Sequence, residues 1–335
     1  MITYKQITHL HLELSTFCNA RCPLCPRNFY GYPYNDGYPE INLTLNQAKK
    51  IFSPEFLSQI KSISIEGNLG DAHMNPETAD IIEYFKISNQ SIYVEMHTNG
   101  SGRNKKFWQR LAQLNVTIKF ALDGLKDTHS LYRQDTDYDK ILENAEIFIK
   151  NGGKAIWKLI PFKHNLHQID SCRALAKKLG FNQFIVYDES RNSGPVYDKQ
   201  GNLVNVLGNY NEETNFSIKF HSRKTDLVLV EDVVKDKKTK SKITCQAQSN
   251  KQIYVSGSGE VSPCCFLGFY PKLYGHGAYH QAVNAQLKNH IHKNNALEYP
   301  LEQCIEWFSS VKSTWNIREY EDGRLIACDD NCGSN

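Results

Sequence analysis

Cysteine is the residue type in this sequence whose spacing most directly suggests chemistry. The chain has ten cysteines in 335 residues. Three of them lie within eight residues, in the segment Cys18-Asn-Ala-Arg-Cys22-Pro-Leu-Cys25. Because Pro23 and Pro26 disfavour a regular helix or strand, we expect a loop on which three thiolates can converge on one metal centre.

Composition narrows the class of protein that carries these cysteines. Lysine and arginine number 39 and aspartate and glutamate 36, so the net charge is +3 and indicates neither a nucleic-acid nor a membrane partner. Mean hydropathy is −0.52, and no segment approaches the ~20 apolar residues that span a bilayer. The N-terminus has no export signal, so we expect a cytoplasmic protein. In that compartment, clustered cysteines indicate metal or catalytic sites rather than disulfides.

The number of ligands in the first group of cysteines distinguishes between two possible kinds of metal centre. Structural zinc usually takes four protein ligands, and a fourth is missing nearby because His9 and His11 lie inside the preceding strand pattern. An iron–sulfur cluster held by three thiolates instead keeps one iron open for another ligand. Zinc remains the alternative at this stage.

The Cys-x3-Cys-x2-Cys motif, directly after a predicted strand, resembles the signature of the radical S-adenosylmethionine (SAM) enzymes. The resemblance implies that Cys18, Cys22 and Cys25 hold a [4Fe–4S] cluster whose open iron is chelated by the amino and carboxylate groups of SAM. It also implies that an electron from the cluster cleaves SAM to a 5′-deoxyadenosyl radical. Leu24 stands where the family often has an aromatic residue.

Alternating strand and helix patterns follow the motif and predict a parallel sheet. The predicted strands are Ile7–Leu14, Ile63–Ile65, Ile92–Met96, Val116–Leu122, Ala155–Phe162 and Phe184–Tyr187. Helices are predicted after Asn42, from Pro76, and over Phe107–Leu114, Ile141–Ile149 and Ile169–Leu179. Six strands are fewer than the eight of a closed barrel. The prediction is an α/β fold, with residues 1–190 forming the (β/α)6 partial TIM barrel of the resembled family.

The carboxyl ends of barrel strands are where functional residues collect. Strand two is followed by Glu66-Gly-Asn-Leu-Gly-Asp71, where the family usually carries Gly-Gly-Glu-Pro. By resemblance, Gly67, Asn68, Gly70 and Asp71 hold the SAM amino group. Glycines allow close backbone approach, and an aspartate accepts hydrogen bonds from an ammonium.

Strand four ends in Asp123-Gly124, and Arg133 follows. The resemblance implies that Asp123 and Arg133 contact the SAM ribose and carboxylate, and the guanidinium fork of Arg133 is suited to a carboxylate. A solvated surface arginine is the alternative for Arg133. Ala121 stands where related enzymes carry a serine.

A second group of cysteines lies in the C-terminal third. A predicted hairpin over residues 252–262 would bring Cys264 towards Cys245, and Cys328 and Cys332 follow near the end. This spacing resembles the SPASM and twitch extensions of radical SAM enzymes, and the shorter twitch form fits six cysteines better. The four cysteines then bind one auxiliary [4Fe–4S] cluster, with structural zinc as the alternative.

The remaining predictions for the C-terminal third concern its domain limits. Residues 241–335 are expected to form a small α+β auxiliary domain, joined to the barrel by an irregular connecting segment at 191–240. Within that domain a helix is predicted over Leu301–Val311. Cys265 and Cys304 are left over as ligands, as is Cys172 in the barrel, and packing is their expected role. A substrate-facing thiol is the alternative for Cys265 or Cys304.

The function predicted from the resemblance is reductive cleavage of SAM followed by hydrogen-atom abstraction from a substrate. A ribosomally made peptide or a protein is the expected substrate, and a flavodoxin- or ferredoxin-type protein the expected electron donor. The alternative is a small-molecule oxidase acting on an aminocyclitol or a nucleotide-like alcohol. A zinc-binding interaction protein without catalysis is the remaining alternative.

A peptide substrate raises the question of leader recognition. Because the first strand begins near Ile7, we expect no leader-binding domain ahead of the barrel. Recognition would then fall to a separate partner protein or to residues 190–240. The basic run Lys235–Lys242 could attract an acidic leader, and a solvated connection without partners is the alternative.

Overall fold

The computed structural model of the chain describes residues 2–33, 39–187, 194–207, 234, 239–240, 242–269 and 278–334. Most of the run Lys235–Lys242 therefore lies outside the described residues, including Lys237 and Lys238. Within the described part of the chain, no helix is long and apolar enough to cross a membrane.

Fourteen strands occur in the described residues. They are β1 His9–Leu12, β2 Asn28–Phe29, β3 Tyr32–Pro33, β4 Ser62–Ile65, β5 Tyr93–Thr98, β6 Thr117–Ala121, β7 Lys154–Leu159, β8 Gln183–Val186, β9 Gly194–Tyr197, β10 Leu203–Leu207, β11 Lys242–Ile243, β12 Gln252–Val255, β13 Val261–Ser262 and β14 Gly333–Ser334.

Helices of the first half alternate with these strands. They are α1 Leu45–Ile51, α2 Pro54–Ser58, α3 Thr78–Ser88, α4 Lys105–Gln113, α5 Lys126–Tyr132, α6 Tyr138–Lys150 and α7 Ile169–Leu179. In the second half the helices are Gln246–Ser249, Cys265–Phe269, Ala278–Leu287, Leu301–Cys304, Phe308–Ser313 and Ile326–Cys332. Short 3-10 turns cover Tyr4–Gln6, Ala72–Met74, Leu166–Gln168 and Thr314–Asn316.

The main sheet has eight strands in the order β13-β12-β1-β4-β5-β6-β7-β8. All neighbouring pairs are parallel except β12 with β13. The six predicted strands β1 and β4 to β8 are therefore present and parallel. Because β13 and β8 end the order without pairing with each other, the sheet is open rather than a closed barrel.

Alternate strand residues pack against the helices on one face of the sheet. Leu10 and Leu12 of β1 are buried there, whereas His9 and His11 point to the opposite face and are half-buried. Phe120 of β6 is fully buried between Trp108, Phe148 and Phe181, with ring centroids 5.5–6.2 Å apart.

The second half is attached to the first through this sheet. Strand β12 pairs in parallel with β1, with His11 opposite Tyr254 and Leu12 opposite Val255. The predicted hairpin over residues 252–262 is present as β12 and β13, but its first strand extends the main sheet. Strand β13 then returns antiparallel to β12, with Ser262 opposite Tyr254 just before Cys264.

Two local predictions were wrong. Part of the segment 191–240 predicted as irregular forms a hairpin, β9 with β10, because Asp198 accepts backbone hydrogen bonds from Gln200 and Asn202 and closes the turn. The helix predicted over Leu301–Val311 is interrupted between Cys304 and Phe308. Hydrogen bonds three residues apart, such as Phe308 N to the Ile305 carbonyl, replace helical ones at the break and leave Trp307 fully buried.

The Phe120→Ala variant tests the helix-covered core. Removing this ring leaves a cavity among three aromatic neighbours, so the free energy of unfolding should fall by about 3–5 kcal/mol. Urea denaturation of the two proteins measures this difference. The control is Ile87→Ala, since Ile87 is 76% exposed and its removal should change stability by less than about 0.5 kcal/mol. Equal stability of both variants would contradict the assigned core.

Candidate functional site

Carboxyl ends of the parallel strands meet at one edge of the main sheet, and the first cysteine group lies there. The loop from Cys18 to Cys25 follows β1 and is held by backbone hydrogen bonds. Cys25 N donates to the Cys22 carbonyl over 3.0 Å, and Arg21 N donates to the Gln134 carbonyl over 3.0 Å. The loop is therefore tied both to itself and to the segment that follows α5.

The three thiols of this loop lie close enough to influence one another. Cys22 is buried, and Cys18 and Cys25 are partly exposed. Burial raises the pKa of the Cys18 thiol, and the nearby Asp71, Cys22 and Cys25 raise it further. Burial also raises the pKa of Cys22 to about 11, against the opposing effect of the Arg133 guanidinium. The three clustered thiols could ligate one metal centre, whose positive charge would favour the deprotonated form that burial disfavours.

The hairpin of β9 and β10 covers the cysteine loop. Val196 and Leu207 belong to one apolar cluster with Cys22, and Leu24 and Cys25 pack against that cluster. Arg21 donates from Nη1 to the Tyr197 carbonyl over 3.2 Å and so joins the loop to the hairpin. The loop thus lies between the sheet edge and an apolar cover, which limits the access of water.

Asp123 and Arg133 meet beside Cys22. Arg133 Nε donates to Asp123 Oδ2 over 2.6 Å, and Arg133 Nη1 lies 3.6 Å from Cys22 Sγ. Asp123 is fully buried and its other oxygen accepts the Ile160 amide over 2.6 Å. These contacts bring together three residues that the sequence places far apart, one of which is a predicted cluster ligand.

The loop after β4 packs directly against the chain just before Cys18. A Cβ added at Gly70 would lie 2.0 Å from the Ser15 carbonyl oxygen, and one added at Gly67 would lie 2.0 Å from the Gly70 carbonyl oxygen. Asp71 N donates to the Phe17 carbonyl over 2.8 Å. Gly67 and Gly70 are thus required for backbone packing within the site. Whether their backbone also holds the SAM amino group stays a prediction.

Asp71 is buried and its carboxylate has several donors. Oδ1 lies 2.8 Å from His73 Nδ1 and accepts the Thr98 hydroxyl over 2.7 Å, while Oδ2 accepts the Asn99 amide over 2.7 Å. Burial pushes the pKa of Asp71 upward, but the His73 interactions and the two other hydrogen bonds lower it overall. Asp71 thereby joins the loops after β4 and β5. Its predicted contact with the SAM ammonium stays a prediction.

Asn68 points towards the face of the sheet on which His11 and Tyr254 lie, here called the inner face. Its Nδ2 donates to Glu13 Oε1 over 2.6 Å and lies 3.3 Å from His11 Nε2. Tyr254 donates from its hydroxyl to the same Glu13 oxygen over 2.8 Å. The predicted SAM contact of Asn68 is therefore untested, and its carboxamide takes part in a network between β1, β4 and β12.

A line of charged side chains continues across this face. His97 Nδ1 lies 3.0 Å from Glu66 Oε2, His97 Nε2 lies 3.3 Å from Glu95 Oε1, and Lys119 pairs with Glu95. Burial raises the pKa values of Glu66 and Glu95, but these partners outweigh it and lower both to about 2. The two glutamates raise the pKa of His97 against the lowering effect of burial.

These four residues can be compared with a metal site. Ligand atoms of Glu66, Glu95 and His97 lie within 4.8 Å of one another. Lys119 pairs with Glu95, and His97 lies within hydrogen-bond distance of both carboxylates, so these carboxylates already have partners within the group. The group is better described as a polar lining of the inner face, close to the predicted SAM loops.

Four cysteines of the second half line one apolar cavity. Its walls comprise Cys245, Cys264, Cys328, Cys332, Ile243, Pro263, Phe266, Leu267, Val311, Trp315, Ala327 and Asn331. Burial raises the pKa of Cys264 to about 12, and burial and the nearby Cys264 raise that of Cys328. A hydrogen bond from Cys245 lowers the pKa of Cys332 to about 6. The four thiols thus lie around one cavity, and their donor set fits either [4Fe–4S] or zinc.

The remaining cysteines lie outside both groups. Cys172 and Cys304 are fully buried in the core, consistent with a packing role. Cys265 is partly exposed. Burial raises the pKa of its thiol, and the nearby Glu13 and Glu66 raise it further. It packs against Leu69, in the loop after β4, and Phe269.

Several residues of the site carried no sequence motif. Arg27 donates to the carbonyls of Thr16 and Leu69 and so joins the cysteine loop to the loop after β4. The Nδ2 atom of Asn99 lies 3.8 Å from Cys18 Sγ. The position of Asn99 at the end of a predicted strand was the signal that could have identified it.

Known proteins resemble this chain both in sequence and in fold. Residues 12–170 match the family model of the radical SAM superfamily. A cysteine-type anaerobic sulfatase-maturating enzyme of Clostridium novyi is 25% identical over 198 residues, which cover 54% of this chain and 51% of that protein. The match thus spans about half the length of this relative.

Two solved structures share the fold over most of the chain. SuiB of Streptococcus suis bound to its precursor peptide SuiA has a TM-score of 0.59 at 14% identity, covering 98% of this chain and 73% of SuiB. Native anSMEcpe with bound AdoMet and Cp18Cys peptide has a TM-score of 0.52 at 16% identity, covering 97% and 89%. The predicted fold class, α/β with a partial barrel, is confirmed.

The Gly70→Ala variant tests the packing beneath the cysteine loop. Its Cβ would meet backbone atoms of Ser15 and Thr16, so the loop must move, and we expect about 1–3 kcal/mol lower stability with less iron retained after anaerobic reconstitution. Gly257→Ala is the matched control, because its Cβ would lie an ordinary 3.7 Å from Ser15 N. Wild-type stability and iron content in Gly70→Ala would show that the contact does not constrain the loop.

Proposed function

Because the chain contains a radical SAM domain at residues 12–170, we propose that it binds a [4Fe–4S] cluster and SAM and abstracts a hydrogen atom from its substrate. When bound, the cluster supplies the electron for reductive cleavage of SAM to a 5′-deoxyadenosyl radical. Cys18, Cys22 and Cys25 would hold the cluster and keep one iron position open. The protein's own contribution is to position the ligands, exclude water and place the substrate.

The observation that carries this proposal is the Asp123–Arg133 pair beside Cys22. Arg133 is a guanidinium held at the edge of the cysteine loop by a fully buried carboxylate. A fork of this kind is suited to a carboxylate ligand, such as that of SAM bound at the open iron. Three thiols next to a fixed cation are what such a site needs, whereas a zinc site completed by a fourth protein ligand has no need of it.

Other SAM contacts follow from the same edge of the sheet. We assign the SAM amino group to the loop Gly67–Asp71, chiefly through backbone atoms, because the Asp71 oxygens already accept hydrogen bonds from Thr98 and Asn99. The ribose contact expected of Asp123 would have to be shared with Arg133 and the Ile160 amide. Asn68 would act through its backbone, since its side chain binds Glu13.

The four cysteines of the second half are proposed to bind an auxiliary [4Fe–4S] cluster. Cys245, Cys264, Cys328 and Cys332 share one cavity with apolar walls, which would limit exposure of the cluster to water. Cys264 is followed by Cys265, which packs against Leu69 and Phe269. An auxiliary cluster would supply a second redox centre, which could accept an electron or hold a substrate group.

A peptide or protein is the substrate class we propose. SuiB and anSMEcpe have been solved with peptides bound, and the relative from Clostridium novyi is named for the maturation of sulfatases. The charged inner face formed by Glu66, Glu95, His97 and Lys119 would suit a polar side chain of such a peptide better than an apolar one. A small-molecule oxidase would use the same face for an alcohol.

Two protein partners are proposed with this activity. A flavodoxin- or ferredoxin-type protein would supply the electron. An acidic leader peptide could bind the basic segment around residues 235–242, directly or through a separate leader-binding protein. Within that segment, Lys240 donates from Nζ to the Asp330 carbonyl over 3.2 Å.

The first experiment measures 5′-deoxyadenosine formed anaerobically from SAM and a chemical reductant. Wild-type protein should form it, and the variant with Cys18, Cys22 and Cys25 all changed to Ala should not, because the cluster has lost its ligands. Cys172→Ala is the control, since this buried thiol lies outside both clusters, and it should retain SAM cleavage. SAM cleavage by the triple variant would refute the assignment of the cluster.

A second experiment counts metal in the same proteins. Wild-type protein reconstituted under anaerobic conditions should bind about eight irons, and the triple variant about four, held by the auxiliary cysteines. Changing Cys245, Cys264, Cys328 and Cys332 to Ala should remove the other four. Zinc in place of iron, without labile sulfide, would favour a non-catalytic metal-binding protein instead.

A further inference from the structure

Two of the three thiols in the first loop receive an N–H group from outside that loop. Arg133 Nη1 lies 3.6 Å from Cys22 Sγ, and Asn99 Nδ2 lies 3.8 Å from Cys18 Sγ. Both distances are within the range of hydrogen bonds to sulfur. The arginine is already engaged in the proposed SAM site, whereas Asn99 has no part in it.

The carboxamide of Asn99 is fixed in one orientation. Its Oδ1 accepts the Ser101 amide over 2.8 Å, which requires oxygen on that side, and its Nδ2 also donates to Asn19 Oδ1 over 2.9 Å. The N–H groups must therefore point towards Asn19 and Cys18. Only 4% of the residue is exposed, so water does not compete for these contacts.

Asp71 fixes the backbone from which this side chain projects. The Asn99 amide donates to Asp71 Oδ2 over 2.7 Å, and the preceding Thr98 donates its hydroxyl to Asp71 Oδ1 over 2.7 Å. A chain of hydrogen bonds thus runs from Asp71, in the loop after β4, through Asn99, at the end of β5, to Cys18 after β1.

We propose that Asn99, held by Asp71, is a positioning residue that donates a hydrogen bond to the Cys18 thiolate and raises the reduction potential of the cluster bound there. The inference rests on the proposed function, because it concerns the same cluster. Reduction adds an electron, and part of its charge falls on the sulfur ligands. A donor to sulfur stabilises that more negative state and makes the cluster easier to reduce.

The test is a potentiometric titration followed by electron paramagnetic resonance on the full chain with both clusters. The relevant signal is the one that changes when SAM is added, and its midpoint potential is then measured without SAM. In Asn99→Leu, which removes the donor at similar volume, we expect a tenfold lower ratio of reduced to oxidised cluster at a fixed potential. That ratio corresponds to a midpoint potential about 59 mV more negative than that of the wild type.

Two further variants separate the hydrogen bond from structural effects. Asn99→Asp keeps an oxygen for the Ser101 amide but replaces the donor by a carboxylate, so its potential should be at least as negative as that of Asn99→Leu. If Asn99→Leu does not fold, Asn99→Asp still tests the proposal. Ser101→Ala removes only the hydroxyl that accepts the Asp137 amide in the same turn, and should titrate as wild type.

Wild-type potential in both Asn99 variants would overturn the proposal. So would an equal shift in Ser101→Ala, or loss of first-cluster iron from both Asn99 variants, since either indicates a role only in holding the turn. Absence of any SAM-sensitive signal in wild-type protein would instead refute the proposed function, so the two failures are distinguishable.

Discussion

A loop with no regular structure of its own can hold three thiols in place only if neighbouring elements fix its backbone. Here the decisive contact is between the loop after β4 and the residues that lead into Cys18. Gly70 approaches the Ser15 carbonyl so closely that no side chain fits, and Asp71 N binds the Phe17 carbonyl. Because β1 and β4 are hydrogen-bonded neighbours in the sheet, this contact anchors the cysteine loop to the sheet.

Buried carboxylates at the same edge each accept hydrogen bonds from specific partners. Asp123 is fully buried and paired with Arg133, and Asp71 is buried and paired with donors from the loop after β5. Such pairs add little to stability compared with apolar packing, but they fix the direction of each donor. The consequence is that two N–H groups, from Arg133 and Asn99, point at the thiols of Cys22 and Cys18. The apolar hairpin at residues 194–207 covers the loop and keeps these interactions out of water.

Sequence patterns sufficed where the chemistry is local. Hydrophobic periodicity located all six barrel strands, and cysteine spacing located both groups of thiols. Patterns failed where tertiary contacts decide: the hairpin around Asp198 was predicted as irregular, and the pairing of β12 with β1 has no local signal. Asn99 illustrates the limit for the site, because Thr-Asn-Gly after a strand indicates only a turn. Its contact with Cys18, 81 residues away in sequence, depends on how three strand ends meet.

The central claim is that the loop of Cys18, Cys22 and Cys25 holds a cluster with one iron open to SAM. Mössbauer spectroscopy of protein reconstituted with iron-57 tests this most directly, because it resolves individual iron sites. Of about eight irons in two [4Fe–4S] clusters, one should change its isomer shift when SAM is added, as its coordination rises. A spectrum that is identical with and without SAM, although SAM is bound, would contradict the account.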